Sequence, residues 1–141
     1  MIKFTVFGEP TAQGRPKAST IGGFVKMYDP EKSRSYKQLV YLAAVAVKPE
    51  TPLTGALAAK VTAYFGMPKS KSKKWVAAAT AGNILPTKKP DADNVAKICL
   101  DGCNKILYND DSQIVVLVVS KNYSQNPRVE VMIEEVDSIP F

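Results

Sequence analysis

The 141-residue chain has no histidine. That absence excludes imidazole acid–base chemistry, histidine-containing triads and histidine-rich zinc sites. Cysteine is scarce as well, with only Cys99 and Cys103. Two thiols cannot complete a zinc site alone and do not make a disulfide framework, so they read as small buried side chains. Long apolar runs are missing. Leu39 to Val47 is nine residues, under half of a membrane span. The first residues, Met1-Ile2-Lys3-Phe4, do not resemble a signal peptide. A soluble protein in a reducing cytosol is expected. Any metal would have to be held by carboxylates and carbonyls, which suits magnesium, with manganese as the alternative.

What is present is an ordinary apolar fraction, 45%, and an uneven charge. Residues 1–89 hold 15 Lys and Arg against 4 Asp and Glu, whereas residues 90–141 hold 4 against 9. A basic majority attracts a polyanion. The acidic minority would repel it unless a cation intervenes. The length suits one domain over residues 1–141, large enough to bury a core without staples.

Hydrophobic period and punctuation give the elements. Ile2 to Phe7 alternates as a strand. Gly8 to Thr20, interrupted by Pro10, Gly14 and Pro16, reads as a loop carrying Arg15 and Lys17. Phe24 to Tyr28 is a short strand. Asp29-Pro30 opens a helix whose apolar stripe is Leu39, Leu42, Ala43 and Ala46. Leu57 to Phe65 is a strand with Val61, Ala63 and Phe65 on one face. Ser70 to Ala79 is a short helix capped by Ser70 or Ser72. Asp91 to Leu107 is a helix that buries Val95, Ile98, Cys99, Gly102, Cys103 and Ile106. Tyr108 to Ser112 is a turn. Gln113 to Tyr123 and Arg128 to Val136 are strands expected to pair as a hairpin.

Two acidic groups stand out. Asp91 and Asp93 lie at a helix start, where free backbone N–H groups favour the ionised carboxylates that a hard cation needs. Lys97 follows Asp93 by four residues on the same helix face. The plain alternative is capping, with Lys97 as a helix ion pair. Asp110-Asp111 forms the second group, in a turn. A helix of about 16 residues is roughly 24 Å long, and about seven extended residues return that distance. Asp111 therefore meets Asp91 only if the chain reverses within the turn or a symmetric partner supplies it. The basic elements are Arg15 and Lys17, then Lys69, Lys71, Lys73 and Lys74, then Lys88 and Lys89. Each is either plain solvated surface or a set of phosphate contacts without sequence preference. Trp75 beside the lysine run either anchors the short helix or stacks a base.

Together these pieces resemble the RusA family of Holliday-junction resolvases, small endodeoxyribonucleases of phages and prophages. The matching stretches are Gly8-Glu9-Pro10 with Gly14-Arg15-Pro16-Lys17, then Lys89-Pro90-Asp91-Ala92-Asp93-Asn94 with Lys97 and Asp101, then Asp110-Asp111-Ser112-Gln113. Residues 69–85 match no family motif. The resemblance implies a small two-layer α+β domain, a mixed β-sheet packed with helices. It implies a homodimer that nicks four-way junction DNA symmetrically with Mg²⁺, in recombination and repair. Asp91, Asp93 and Asp111 then correspond to metal-binding catalytic acids and Lys97 to a lysine needed for cleavage. A non-catalytic binder of branched DNA and a metal-dependent nuclease for flap or duplex DNA are the competing functions.

Overall fold

The computed structural model describes residues 1–14, 17–21, 24–28 and 31–139, and of the segments 17–21 and 24–28 the backbone alone. The chain runs β1 (Ile2–Phe7), β2 (Lys17–Ile21), β3 (Phe24–Tyr28), α1 (Glu31–Val45), β4 (Leu57–Phe65), α2 (Lys73–Thr80), α3 (Ala92–Gly102), β5 (Ile114–Tyr123) and β6 (Arg128–Glu135). It is the α+β arrangement expected, a mixed four-stranded sheet with three helices. Strands β2 and β3 form a separate antiparallel pair.

Sheet order is β1-β6-β4-β5. β4 is the organising strand. Its Leu57, Ala59, Val61, Ala63 and Phe65 are all buried, with less buried residues between them. The β-branched and aromatic residues on its faces suit a pleated sheet. β4 pairs antiparallel with β6 and parallel with β5. The expected β5–β6 hairpin is therefore not formed. Chain between parallel neighbours must cross over, and here the crossover holds α2 and α3. The turn after β5 then steps across the end of β4, where Ser124 N donates to Phe65 O at 2.9 Å. β6 is delivered to the far side of β4, next to β1.

The core lies on one face of the sheet. Phe4 and Val6, the buried side of β4, and Val129, Val131 and Ile133 of β6 meet Tyr36, Val40 and Ala44 of α1 and Val95, Ile98 and Cys99 of α3. Both cysteines are buried and free, as the sequence suggested. Burial pushes both thiols up to about 12, so they are inert at neutral pH.

Three further expectations are corrected. Lys17–Ile21 is a strand rather than loop. Glycine and proline earlier in the segment hid the β-branched pair Thr20-Ile21, which is satisfied by pairing with β3. The buried stripe of α1 is Ser33, Tyr36, Val40 and Ala44, while Leu39 and Leu42 are about half exposed. Both stripes have helical spacing, and the core selected the one holding Tyr36 and Val40. Helix α3 stops at Gly102, five residues short of the expected end. Lys105 takes a positive φ of 68°, and the chain turns back there. Gly102 is required by packing: a Cβ would sit 2.7 Å from Val40 Cγ1, so α1 and α3 touch at this point. The Asp29-Pro30 helix start lies outside the described residues. No helix among those described is long and apolar enough to cross a membrane.

Candidate active site

Helix α3 carries most of the chemistry. Asp91 occupies its N-cap with extended backbone, yet its side chain makes no capping hydrogen bond. Its main chain does the structural work, since Val95 N donates to Asp91 O at 3.1 Å. The carboxylate is exposed and is not used to hold the helix. Asp93 lies two residues on, within the first turn, and is also exposed. Both stand at the helix end where the backbone N–H groups of the first turn are free and the dipole is positive. The cap reading is thus met by the backbone of Asp91, and the side chains remain available to a cation.

Asp93, Lys97 and Asp101 succeed each other at four-residue intervals, so they form one stripe along α3. Lys97 is equidistant in sequence from both acids and pairs with the later one: Lys97 Nζ lies 3.3 Å from Asp101 Oδ2. Asp101 in turn stands beside Asp111. Burial first, then the neighbouring Asp101 carboxylate, and then Asp110 raise the Asp111 carboxyl above the ordinary range, while Lys97 opposes them. Two crowded carboxyl groups with a single ammonium nearby are the situation a divalent cation would relieve.

The turn explains which aspartate is free. Asp110 Oδ2 accepts from Ser112 N at 3.1 Å. Gln113 Oε1 accepts from Asn109 N at 2.9 Å and Asp110 N at 3.1 Å. Gln113 Nε2 donates to the carbonyls of Leu53 and Gly55. Its bond to Ser112 holds the Asp110 carboxyl below its usual range. Asp110 and Gln113 therefore build a capping box, and Asp111 is left to face Asp101. Beneath the turn, the fully buried Tyr108 donates from its hydroxyl to Leu100 O at 2.6 Å. That contact fastens the turn to the end of α3, and burial pushes the phenol strongly upward.

Asp91 and Asp111 lie at opposite ends of this unit. Asp111 sits by Asp101, at the C-terminal end of α3. Asp91 sits ten residues earlier, about 15 Å along a helix. There it is close to the other end of β5, because Lys121 Nζ donates to Lys88 O at 2.7 Å. Within one chain the structure brings together Lys97, Asp101 and Asp111, and separately Asp91 and Asp93. It does not bring the two sets together. No group of three acidic or thiol side chains among the described residues is placed to hold one ion. Asp101 was legible only as part of a motif. Its role follows from the four-residue repeat Asp93-Lys97-Asp101.

The basic side chains Lys69, Lys71, Lys73, Lys74, Lys88 and Lys89 are all exposed. Ser72 caps α2, accepting from Trp75 N at 3.2 Å. Trp75 is half-buried and meets Tyr123 edge-on at 5.1 Å, with Lys71 Nζ 5.3 Å from its ring. It therefore anchors α2 to β5. Arg15 lies outside the described residues, and so does the side chain of Lys17.

Residues 8–134 match the family model described as Endodeoxyribonuclease RusA. YqaN of Bacillus subtilis strain 168, an uncharacterized protein, is 52% identical over 97% of this chain and 98% of its own. The crossover junction endodeoxyribonuclease rusA of Lactococcus phage r1t is 28% identical over 96% of this chain and 97% of its own. With the two aspartate motifs standing where that model covers them, the chain belongs to the RusA endodeoxyribonuclease family.

Proposed function

We propose that the protein is a homodimeric Holliday-junction resolvase, cutting four-way DNA symmetrically with Mg²⁺ in recombination and repair. The observation that carries this reading is the Asp91 carboxylate, which stands at a helix N-terminus without being used as a cap. An all-oxygen donor set is what Mg²⁺ or Mn²⁺ takes. One chain offers it in two halves. Among the described residues β5 has a neighbour, β4, on one side only. Its Val115, Leu117 and Val118 are 51%, 45% and 48% exposed. An unpaired strand edge with apolar side chains is a template for another strand. If a second copy pairs antiparallel along β5 about a two-fold axis, the start of one β5 lies beside the end of the other. Asp111 of one subunit then approaches the end where its partner holds Asp91 and Asp93. Each dimer gains two complete sites, related by the same symmetry as the two strands to be cut.

In such a site Asp91, Asp93 and Asp111 would hold the ion, which activates water and offsets charge on the scissile phosphate. Asp101 keeps Asp111 crowded and oriented. The Lys97 ammonium, paired with Asp101, stands where negative charge accumulates during cleavage and stabilises it. The exposed lysines at 69–74 and 88–89 draw in the DNA arms without reading their sequence.

Two measurements test the proposal. Labelled four-way junction, flap and linear duplex are incubated with and without Mg²⁺. Paired nicks in the junction alone support it, whereas preferential cutting of flap or duplex replaces the substrate. Then the inactive variants Asp93→Asn and Asp111→Asn are mixed and allowed to exchange subunits. Shared sites restore one intact site per heterodimer, hence roughly a quarter of the wild-type rate in an equal mixture. Sites confined to single chains restore none.

A further inference from the structure

The segment between β1 and β2 has no repeating structure over residues 8–14, yet it is fixed at successive points. Gly8 N donates to Pro127 O at 3.0 Å. The Glu9 carboxylate accepts from Gly66 N at 3.1 and 3.3 Å. Gln13 N donates to Asn94 O at 3.1 Å. Gly14 N donates to Ser33 Oγ at 2.9 Å, and that hydroxyl donates onward to Ala12 O at 3.4 Å. Ser33 is 3% exposed and is the one buried polar residue among those described.

This arrangement is more than a satisfied hydroxyl. Ser33 uses both its accepting and its donating capacity on backbone 19 and 21 residues away. The two bonds bracket Gln13, whose N–H reaches the first turn of α3. Asn94, the acceptor, directly follows Asp93. The helix carbonyl has a second lone pair, and the loop occupies it. Any shift of residues 12–14 is therefore felt at the turn that presents Asp91 and Asp93. Arg15 is the next residue in sequence after Gly14.

We propose that Ser33 is a positioning residue of the nuclease: it locks the backbone of residues 12–14 so that Gln13 braces the metal-binding turn of α3. The proposal rests on the nuclease reading above. Its consequence is kinetic, because misplacement of a reacting group by about 1 Å costs on the order of a hundredfold in rate. The lysines at 69–74 and 88–89 are not partners of the Ser33 hydroxyl, which bonds Gly14 and Ala12, so the grip on DNA persists without it.

The test compares Ser33→Ala, Ser33→Cys and Ser33→Thr in the full-length protein. Cysteine keeps the volume and bonds weakly, so it decides the question if alanine fails to fold. Threonine keeps the hydroxyl and serves as the rescue. The first readout is amide hydrogen exchange at Gln13 and Gly14. The second is single-turnover nicking at saturating junction and Mg²⁺, well below the melting midpoint. The third is junction affinity in Ca²⁺. Alanine and cysteine should speed exchange about tenfold and slow nicking about tenfold or more, with affinity within about threefold. Threonine should recover most of the rate. Faster exchange with an unchanged nicking rate overturns the positioning role, and unchanged exchange overturns the lock. If the wild type cuts no DNA, the nuclease reading fails, and exchange alone still decides whether Ser33 pins the loop.

Discussion

Lys121 Nζ donates a 2.7 Å hydrogen bond to the carbonyl of Lys88, joining the last third of β5 to the segment that enters Asp91. The same ammonium lies 5.6 Å from the Phe65 ring centroid. A single lysine thus links the edge strand, the core and the approach to the acidic turn. The site is placed by this tether as much as by the helix.

Replacing Lys121 with methionine keeps the aliphatic stem over Phe65 and removes the donor. The lost bond should cost about 0.5–1.5 kcal/mol, lowering the melting midpoint by roughly 2–5 °C for a chain of this size. Nicking should fall by more than folding explains, because Asp91 is three residues beyond Lys88. Thermal melts and single-turnover nicking on one preparation check this. A lower melting midpoint with an unaltered nicking rate would leave Lys121 with a purely structural role.

Asp111 offers a trade between stability and activity. Its carboxyl is raised by burial, Asp101 and Asp110, so the folded state disfavours its ionised form. That penalty is present at neutral pH and is relieved as pH falls into the range where Asp111 takes up a proton. Asp111→Asn should therefore stabilise the metal-free protein at pH 7, by a few tenths of a kcal/mol after solvent screening. The gain should shrink as the pH is lowered into the acidic range. The same variant should not nick junctions. Melts of both proteins in EDTA across this range give the comparison. An asparagine variant less stable than wild type at pH 7 would show that Asp111 earns its place through contacts rather than chemistry.

Much of this was readable from residue order, and the failures have physical causes. The α3 face came through because Val95, Ile98 and Cys99 admit only one buried side. The α1 face did not, because Leu39 and Leu42 compete with Tyr36 and Val40 at equivalent spacing, and only the closeness of Gly102 to Val40 decides. The strand partners of β5 were invisible to local pattern, since pairing depends on β4, nearly fifty residues earlier. Asp91 and Asp93 stood out by type and position. Ser33 and Gln13 did not, and Glu9 did only as part of a motif, because their hydrogen bonds are long-range and carry no periodic signal.

The basic side should reveal itself through salt. Neutralising each phosphate releases condensed counterions, so log affinity falls linearly with log salt, with a slope of about −0.9 per contact on duplex. With six exposed lysines at 69–74 and 88–89, the slope should be steep, and it should lessen by about one for each lysine replaced by glutamine. Junction affinity measured in EDTA or Ca²⁺ over a salt series provides the slope. A nearly flat response would remove these lysines from the DNA surface.

Asp93→Asn separates the two roles a carboxylate can have at this position. The amide is nearly isosteric, and Asp93 makes no cap, since the N-cap is Asp91. Folding should lose only the favourable interaction with the first-turn dipole, about 0.3–1 kcal/mol. The melting midpoint should stay within a few degrees of wild type. Chemistry should respond far more strongly. One negative charge fewer weakens the hold on Mg²⁺, and losing metal activation of water removes several orders of magnitude in rate. Binding should move the other way, because the variant repels the DNA phosphate less. A gel shift and a nicking assay on the same preparation, with Mg²⁺ present, read all three quantities. If Asp93 only supports the helix, the variant melts slightly earlier and cuts at the wild-type rate, and the acidic turn of α3 is then not the active site. If it holds the metal, the protein melts normally, binds junctions as tightly or more tightly, and leaves them uncut.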